Sequence, residues 1–409
     1  MSNYPTERWR TTPSEEQGID YCIIENLFKT IHEEFTHINS VLVIKNDCIV
    51  AEKYFNGYTK KSKQKVGCIF KSFISATIGI ALQERLIDSV SVKLVDLFPA
   101  YKNRKKDIDF FHITLEHVLT KSTGLKWKEP EYYKKNSNLS DLERFYELEI
   151  TNIPGEVFEY KPDPQIAVCA IEQITGENFI KYCDERLFKK LNITDYYWNT
   201  NMDDIENMEI TVRDVAKLGY LFLKKGKWED KQLFSEEYWK AATSEKIIAM
   251  THENTEYGYL WWIQELAGYK TFFASGFGGQ YLCVIPEQEM IMVITSQMDR
   301  PHIENKFLIR NLLLDINNLK GEKIMKSSKR DFNKIKFSSE EKKRILEEIR
   351  LFFLEEREEE IGFLATVKLY DFFVNELGEQ IYNKALDDTK VWFSHNMENM
   401  ESDFYSLYK

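Results

Sequence analysis

Apolar residues fall along this chain in three successive patterns. In "GIDYCIIENLFKTIHEEF", Ile24, Leu27, Ile31 and Phe35 recur at helical spacing, which predicts an amphipathic helix. "INSVLVIKNDCIVAEKYFNGY" reads as two strands joined by a turn at Asn46-Asp47. "KSFISATIGIALQERLIDSV" places Phe73, Ile74, Thr77, Ile78, Ala81 and Leu82 on a largely buried helix. Helical patterning then prevails from about 85 to 250, broken by turn signals at Pro99, Gly124, Pro154-Gly155 and Gly176. Strand character returns in "YGYLWWIQEL", "KTFFAS", "QYLCVIP" and "EMIMVITS", before a helix in "IENKFLIRNLLLDINNL".

Strands at both ends around a helical middle predict an α/β (α+β) fold. One antiparallel sheet is assembled from the two ends, with helices on its faces and a helical subdomain inserted between them. This domain spans residues 1–320. The polar, Lys-rich "KGEKIMKSSKRDFNKIKF" supplies a linker at 321–335, and residues 336–409 form an all-α C-terminal domain. Its first helix is amphipathic and capped by Ser338 or Ser339. A second helix ends near Gly378, and a third covers roughly 384–407.

The net charge of -11 argues against a nucleic-acid binder, which needs a basic surface to neutralise phosphates. No apolar run approaches the roughly 18–20 residues of a membrane span. The polar start "MSNYPTERWRTTPSEEQGID" lacks an apolar signal segment, so a cytoplasmic location is expected. The six cysteines include no C-x-x-C pair, and the seven histidines show no metal-ligand spacing. No metal or cofactor is therefore expected. Cys169 in "IAVCAIEQI" and Cys283 in "QYLCVIP" read as small buried apolar residues.

Cys68 in "VGCIFKSF" has different neighbours. A lysine three residues on, Lys71, lies on the same helical face and can touch it. An ammonium at the head of an apolar helix is expensive unless it has a partner or a task. A thiol beside a lysine at a helix N-terminus is the usual setting of a reactive cysteine. The alternative is a small buried residue in a scaffold that has lost turnover.

"KVGCIFKSFISATIGIALQERLI" resembles the active-site helix of the penicillin-recognising serine hydrolases, in particular their class C β-lactamase and esterase-like branch. That family carries S-x-x-K at the head of a buried helix. Here Cys68 occupies the serine position and Lys71 the lysine. "HITLEHVLTKSTGLKW" is similar to the family's "ITIRHLLTHTSGL" segment, and "IPGEVFEYKPDPQIAVCAIEQITGENF" to the one that carries the catalytic tyrosine. "EITVRDVAKLGYLFLKKGKWEDKQLFSEEYWK", "YGYLWWI" and "FASGFGGQYLCVIPEQEMIMVITS" resemble the return to the sheet and its closing strands. The match covers roughly residues 20–320. It implies an acyl hydrolase or acyltransferase with Cys68 as nucleophile and Lys71 and Tyr160 as the proton-handling pair. The backbone amides of Cys68 and Phe277 would form the oxyanion hole, and Gly276, Gly278 and Gly279 would allow close backbone approach. A small-molecule acyl substrate is the partner this implies.

Three departures shape that expectation. Cysteine replaces serine. The family's Y-x-N becomes Tyr160-Lys161-Pro162, leaving Asp163 to stand in for the asparagine. The K-T-G-like strand reads Ala274-Ser275-Gly276, so Ser275 remains as a substrate contact and the cation that grips a carboxylate is missing. These changes speak against β-lactam or D-Ala-D-Ala recognition and leave another ester, amide or thioester open; a binding protein that keeps the cleft without turnover is the alternative. Ser62-Lys65 and Ser339-Lys342 also fit S-x-x-K, but in charged stretches without a following buried helix. The tail from 336 resembles a short uncharacterised bacterial helical family. It is expected to dock or self-associate through Phe352, Phe353, Phe372 and Phe373.

Overall fold

The computed structural model describes residues 4–101, 109–126, 141–161, 164–198, 207–249, 255–297, 303–319, 339–357 and scattered positions from 366 to 384. Two compact units divide the chain, Met1–Ile324 and Met325–Lys409. The predicted linker at 321–335 lies outside the described residues.

The first unit is built on a nine-stranded sheet. In chain order its strands are β1 (Arg10–Thr11), β2 (Ile38–Lys45), β3 (Cys48–Tyr54), β4 (Ile247–Ala249), β5 (Thr255–Tyr257), β6 (Trp262–Leu266), β7 (Tyr269–Gly276), β8 (Gln280–Ile285) and β9 (Met290–Ser296). Their spatial order is β1-β3-β2-β9-β8-β7-β6-β5-β4. The N-terminal hairpin thus joins the C-terminal meander through the β2–β9 pair, with Val43 opposite Met292. Every pairing is antiparallel except β1 with β3, which makes the sheet mixed at that edge.

The β2–β3 hairpin turns at Asn46 and Asp47, both with positive φ (47° and 67°). A two-residue turn that follows the strands' twist demands this backbone, and Asn and Asp tolerate it better than other side chains. The central strands are buried on both faces, so their sequences are nearly continuous apolar runs. Alternation then assigns each residue to a layer. Leu42, Ile44, Leu282, Val284, Ile291 and Val293 pack with the larger core cluster. Val41, Val43, Cys283, Ile285, Met292 and Ile294 pack with the other.

Helices cover both faces. On one lie α1 (Tyr21–Glu34), whose N-cap Asp20 accepts from Cys22 N, and α5 (Ile303–Leu319). On the other lie α2 (Phe70–Gln83), α3 (Pro164–Thr175) and α4 (Val212–Leu223). Phe70 to Ala81 of α2 are all buried, because the helix lies in the larger core between the sheet layer and the helices that follow it in the insert between β3 and β4. Gly79 permits that crowding: a Cβ there would come within 2.6 Å of the Tyr238 ring.

One local expectation changes. "YGYLWWIQEL" is not one strand. β5 ends at Tyr257 and β6 starts at Trp262, and between them Leu260 takes a left-handed backbone (φ 62°) with its carbonyl held by Ser72 Oγ at 2.9 Å. In the second unit, α6 spans Ser339–Arg357. Gly378 keeps helical angles (φ -62°, ψ -41°) after a π-type turn at Phe373–Leu377, and Ile381 and Lys384 are helical too. Apart from Lys384, the expected third helix lies outside the described residues.

Candidate active site

A short ladder, Gln64–Lys65 with Glu209–Ile210, fixes the chain just before Cys68. Gln64 Nε2 donates to Ser40 Oγ at 2.6 Å, and Val66 N to Met208 O at 3.1 Å. Gly67 then takes positive φ (49°), and Gly67–Ile69 form a 3-10 turn that runs into α2. Cys68 therefore sits at the head of α2 and Lys71 in its first turn. The thiol is half-buried and the lysine buried. Lys71 Nζ lies 2.9 Å from Cys68 Sγ.

Tyr160 reaches the pair from the helical insert. Lys71 Nζ is 3.3 Å from its hydroxyl, and the phenol is 42% exposed, so the triad opens toward solvent. The ring stacks on half-buried Trp262, with centroids 5.6 Å apart and planes 17° apart. Trp261, its neighbour, is core. The segment carrying Tyr160 is templated by residues 121–124. Glu159 N donates to Lys121 O at 2.8 Å, Gly155 N to Ser122 O at 2.7 Å and Thr151 N to Gly124 O at 2.9 Å. Two segments far apart in sequence thus form one shelf for the phenol.

Lys121 is a site residue that sequence reasoning missed. Its side chain is fully buried and its backbone left-handed (φ 57°). Its ammonium stands 4.5 Å from the centre of the Tyr160 ring and donates to the Lys161 carbonyl. The available signal was a lysine at the residue where the similar family segment has histidine.

The end of β7 closes the site from the sheet side. A Cβ on Gly276 would lie 3.0 Å from Cys68 N and 2.5 Å from Val66 O, and one on Gly67 would lie 3.3 Å from Phe277 N. The Cys68 and Phe277 amides therefore line one backbone seam that only glycines permit. The Phe277 side chain is 62% exposed. Ala274 is buried in the layer beneath α2, whereas Ser275, one residue on, is half-buried and alternates with it. Asp163 lies outside the described residues.

The other cysteines contrast with Cys68. Cys183 and Cys283 are buried, and burial pushes both thiols up to about 12. Cys169 is half-buried, packed against the core rather than enclosed as expected. Cys22 is exposed. Among the described residues no three His, Cys, Asp or Glu side chains gather as a metal site would require. No described helix is long and apolar enough to cross a membrane.

A mixed sheet between helical layers, with a cysteine–lysine pair at the head of a buried helix and a tyrosine from an inserted helical region, has the architecture of the β-lactamase/transpeptidase class of fold. The chain belongs to the beta-lactamase family, whose model matches residues 37–314. It is a family of hydrolases. Residues 335–408 match a second model, described as an uncharacterized conserved protein (DUF2164).

The chain is 23% identical over 297 residues to an uncharacterized protein of Alkalihalophilus pseudofirmus, covering 62% of this chain and 82% of that one. Among solved structures it is similar to a protein assigned as a 6-aminohexanoate-dimer hydrolase from Bacillus anthracis. That match has a TM-score of 0.63 and 20% identity, and covers 78% and 90% of the two chains. It is also similar to EstCE1, described as a hydrolase with promiscuous acyltransferase activity, with a TM-score of 0.61, 12% identity, and 73% and 99% covered. The octameric penicillin-binding protein homologue of Pyrococcus abyssi matches with a TM-score of 0.59, 18% identity, and 80% and 81% covered.

Proposed function

We propose that this protein is an acyl hydrolase or acyltransferase that works through a Cys68 acyl-enzyme on an ester, amide or thioester. The observation that carries this reading is the convergence of Cys68 Sγ, Lys71 Nζ and Tyr160 Oη within hydrogen-bond reach at the head of α2. Lys71 holds the thiol proton as Sγ attacks the substrate carbonyl and a C–S bond forms. The carbonyl electrons move to oxygen, and the Cys68 and Phe277 amides receive the oxyanion. Collapse breaks the bond to the leaving group, which takes its proton through Tyr160. Water or a second nucleophile then attacks the thioester and gives up its proton to Lys71; the C–S bond breaks, and the departing sulfur is reprotonated from Lys71 as the Cys68 thiol. Preorganised amides of this kind are each worth about 3–4 kcal/mol of barrier.

Alanine at 274 leaves the strand without a cation for a substrate carboxylate, which favours an acyl group uncharged at that end. A thiol nucleophile also suits a reducing compartment, which fits a cytoplasmic location. The test is intact-protein mass spectrometry with p-nitrophenyl acetate in a Cys22→Ser background, since exposed Cys22 would also react. An acetyl adduct is expected on Cys68 and is lost at least tenfold in Lys71→Met. An adduct absent from Cys68, or one that forms equally without Lys71, rejects the reading.

A further inference from the structure

We propose that Ser296 and Asn305 are positioning residues for the acyl-transfer site, holding the turn that presents the Phe277 amide; this rests on the function proposed above. The turn, Gly276 to Gly279, joins β7 to β8 and has little of its own to fix it. Gly278 and Gly279 both take positive φ (84° and 91°), and the Phe277 side chain lies in solvent. Within the turn, Gly279 N donates to Gly276 O at 3.3 Å.

The grip comes from behind. Ser296 Oγ, at the end of β9, donates to Gly278 O at 2.6 Å. Asn305 Nδ2, in the first turn of α5, donates to Gly279 O at 2.5 Å and lies 3.4 Å from Ser296 Oγ. Gln280 locks the pair from a third direction: its Nε2 donates to Ser296 O at 2.6 Å, and its Oε1 accepts from Ser296 N at 3.3 Å. Ser296, Asn305 and Gln280 are all buried.

The fit leaves no slack. A Cβ on Gly279 would fall 1.9 Å from Ser296 Oγ and 2.9 Å from Asn305 Nδ2. On its other side the same turn is pressed against Val66 O and Cys68 N through Gly276. The polar cluster therefore sets how far the Phe277 amide stands from the Cys68 amide. Asn305 is buried on α5 near Leu308, Ile309 and Leu312; its Nδ2 is satisfied by the turn, while its Oδ1 has no partner among the described residues, so the bond to Gly279 is what offsets its burial. An oxyanion hole acts only when its donors are fixed before the charge develops.

Two reactions of the same thiol separate positioning from general damage. Acetylation by p-nitrophenyl acetate passes through an oxyanion, whereas alkylation by iodoacetamide displaces iodide at a saturated carbon and makes none. Both rates at Cys68 are measured in Cys22→Ser protein and in the added variants Ser296→Ala and Asn305→Leu. The expected result is a fall of tenfold or more in acetylation, with alkylation changed less than twofold. Unchanged acetylation, or equal losses in both reactions, overturns the inference while the proposed nucleophile stands. A parent protein that is alkylated but never acetylated removes the proposed function and this inference together. If Asn305→Leu does not fold, Ser296→Ala, which removes one oxygen and no packing, decides the matter.

Discussion

At the scale of single residues, the phenol of Tyr160 has ammonium groups of the described residues near its ring, Lys121 at 4.5 Å and Lys71 at 4.9 Å from the ring centre. Lys71 also reaches the hydroxyl, whereas Lys121 is tied to the neighbouring carbonyl of Lys161. A cation over an aromatic ring is worth about 0.5–2 kcal/mol when shielded from water. Lys121→Met is therefore expected to slow acetylation of Cys68 by roughly 2- to 30-fold, and Lys121→Arg, which keeps the charge, to slow it less. Stopped-flow release of p-nitrophenolate checks both. The Cys68–Lys71 pair was legible in the sequence because three residues on a helix are neighbours in space. Lys121 was not, because its partner is 39 positions away and only the folded insert brings the two together. The thiols give a second expectation. With native protein and limiting iodoacetamide, Cys22 and Cys68 react, while Cys183 and Cys283 stay unlabelled until unfolding, as peptide mapping would show.

At the scale of elements, the shelf under Tyr160 depends on one glycine. Gly124 has φ 74°, and a Cβ there would fall 2.1 Å from the Asn152 carbonyl oxygen. Left-handed backbone at a non-glycine residue costs about 1–3 kcal/mol, before that collision is counted. Gly124→Ala is expected to destabilise the protein by at least about 2 kcal/mol, read as a lower urea midpoint, and to lower Cys68 acetylation further than alkylation. Gly124 was marked as a turn in the sequence, since glycine punctuates a helical pattern. The reason for it, a carbonyl from a segment 28 residues on, was not. The same distinction applies at Leu260. Its run of aromatic and β-branched neighbours reads as strand, yet a hydroxyl from α2 captures its carbonyl and bends the chain.

At the scale of the whole molecule, stability should show two separate pH responses. Burial lowers the His117 pKa from its ordinary 6.5, against an opposing pull from Glu116. Its Nδ1 accepts from Thr114 N, which requires the neutral ring. Above 6.5 the ring is neutral whether the chain is folded or not. As pH falls below 6.5 the unfolded chain takes up the proton first, so stability drops until the folded-state value is passed. Glu52 responds lower on the scale. Burial would raise its pKa, but bonds from Arg213 and Tyr54 outweigh that and leave it below 4.5. Arg213 binds it through two contacts, 2.7 and 2.6 Å, joining α4 to β3. Its stabilisation is present above 4.5 and is lost as pH falls through the folded-state value. Thermal melts from pH 7.5 to 2.5 should therefore decline in two stages. His117→Asn should flatten the stage that begins at 6.5 and leave the acidic one; a single decline unaffected by that substitution contradicts the assignment.

The sequence by itself determined the elements and the local chemistry: the apolar runs of a sheet buried on both faces, the helical insert, the Asn46-Asp47 hairpin, and the cysteine and lysine one helical turn apart. These features follow from side-chain periodicity and from contacts between near neighbours, which a linear chain already specifies. Tertiary structure alone decided that Lys121 comes to lie beside Tyr160 and that Ser296 and Asn305 grip the glycine turn. It also decided that Gly276 abuts Cys68 N. Each of these is a contact between segments distant in the chain. Its energy depends on burial and on positions fixed to a few tenths of an ångström, and neither exists until the sheet closes.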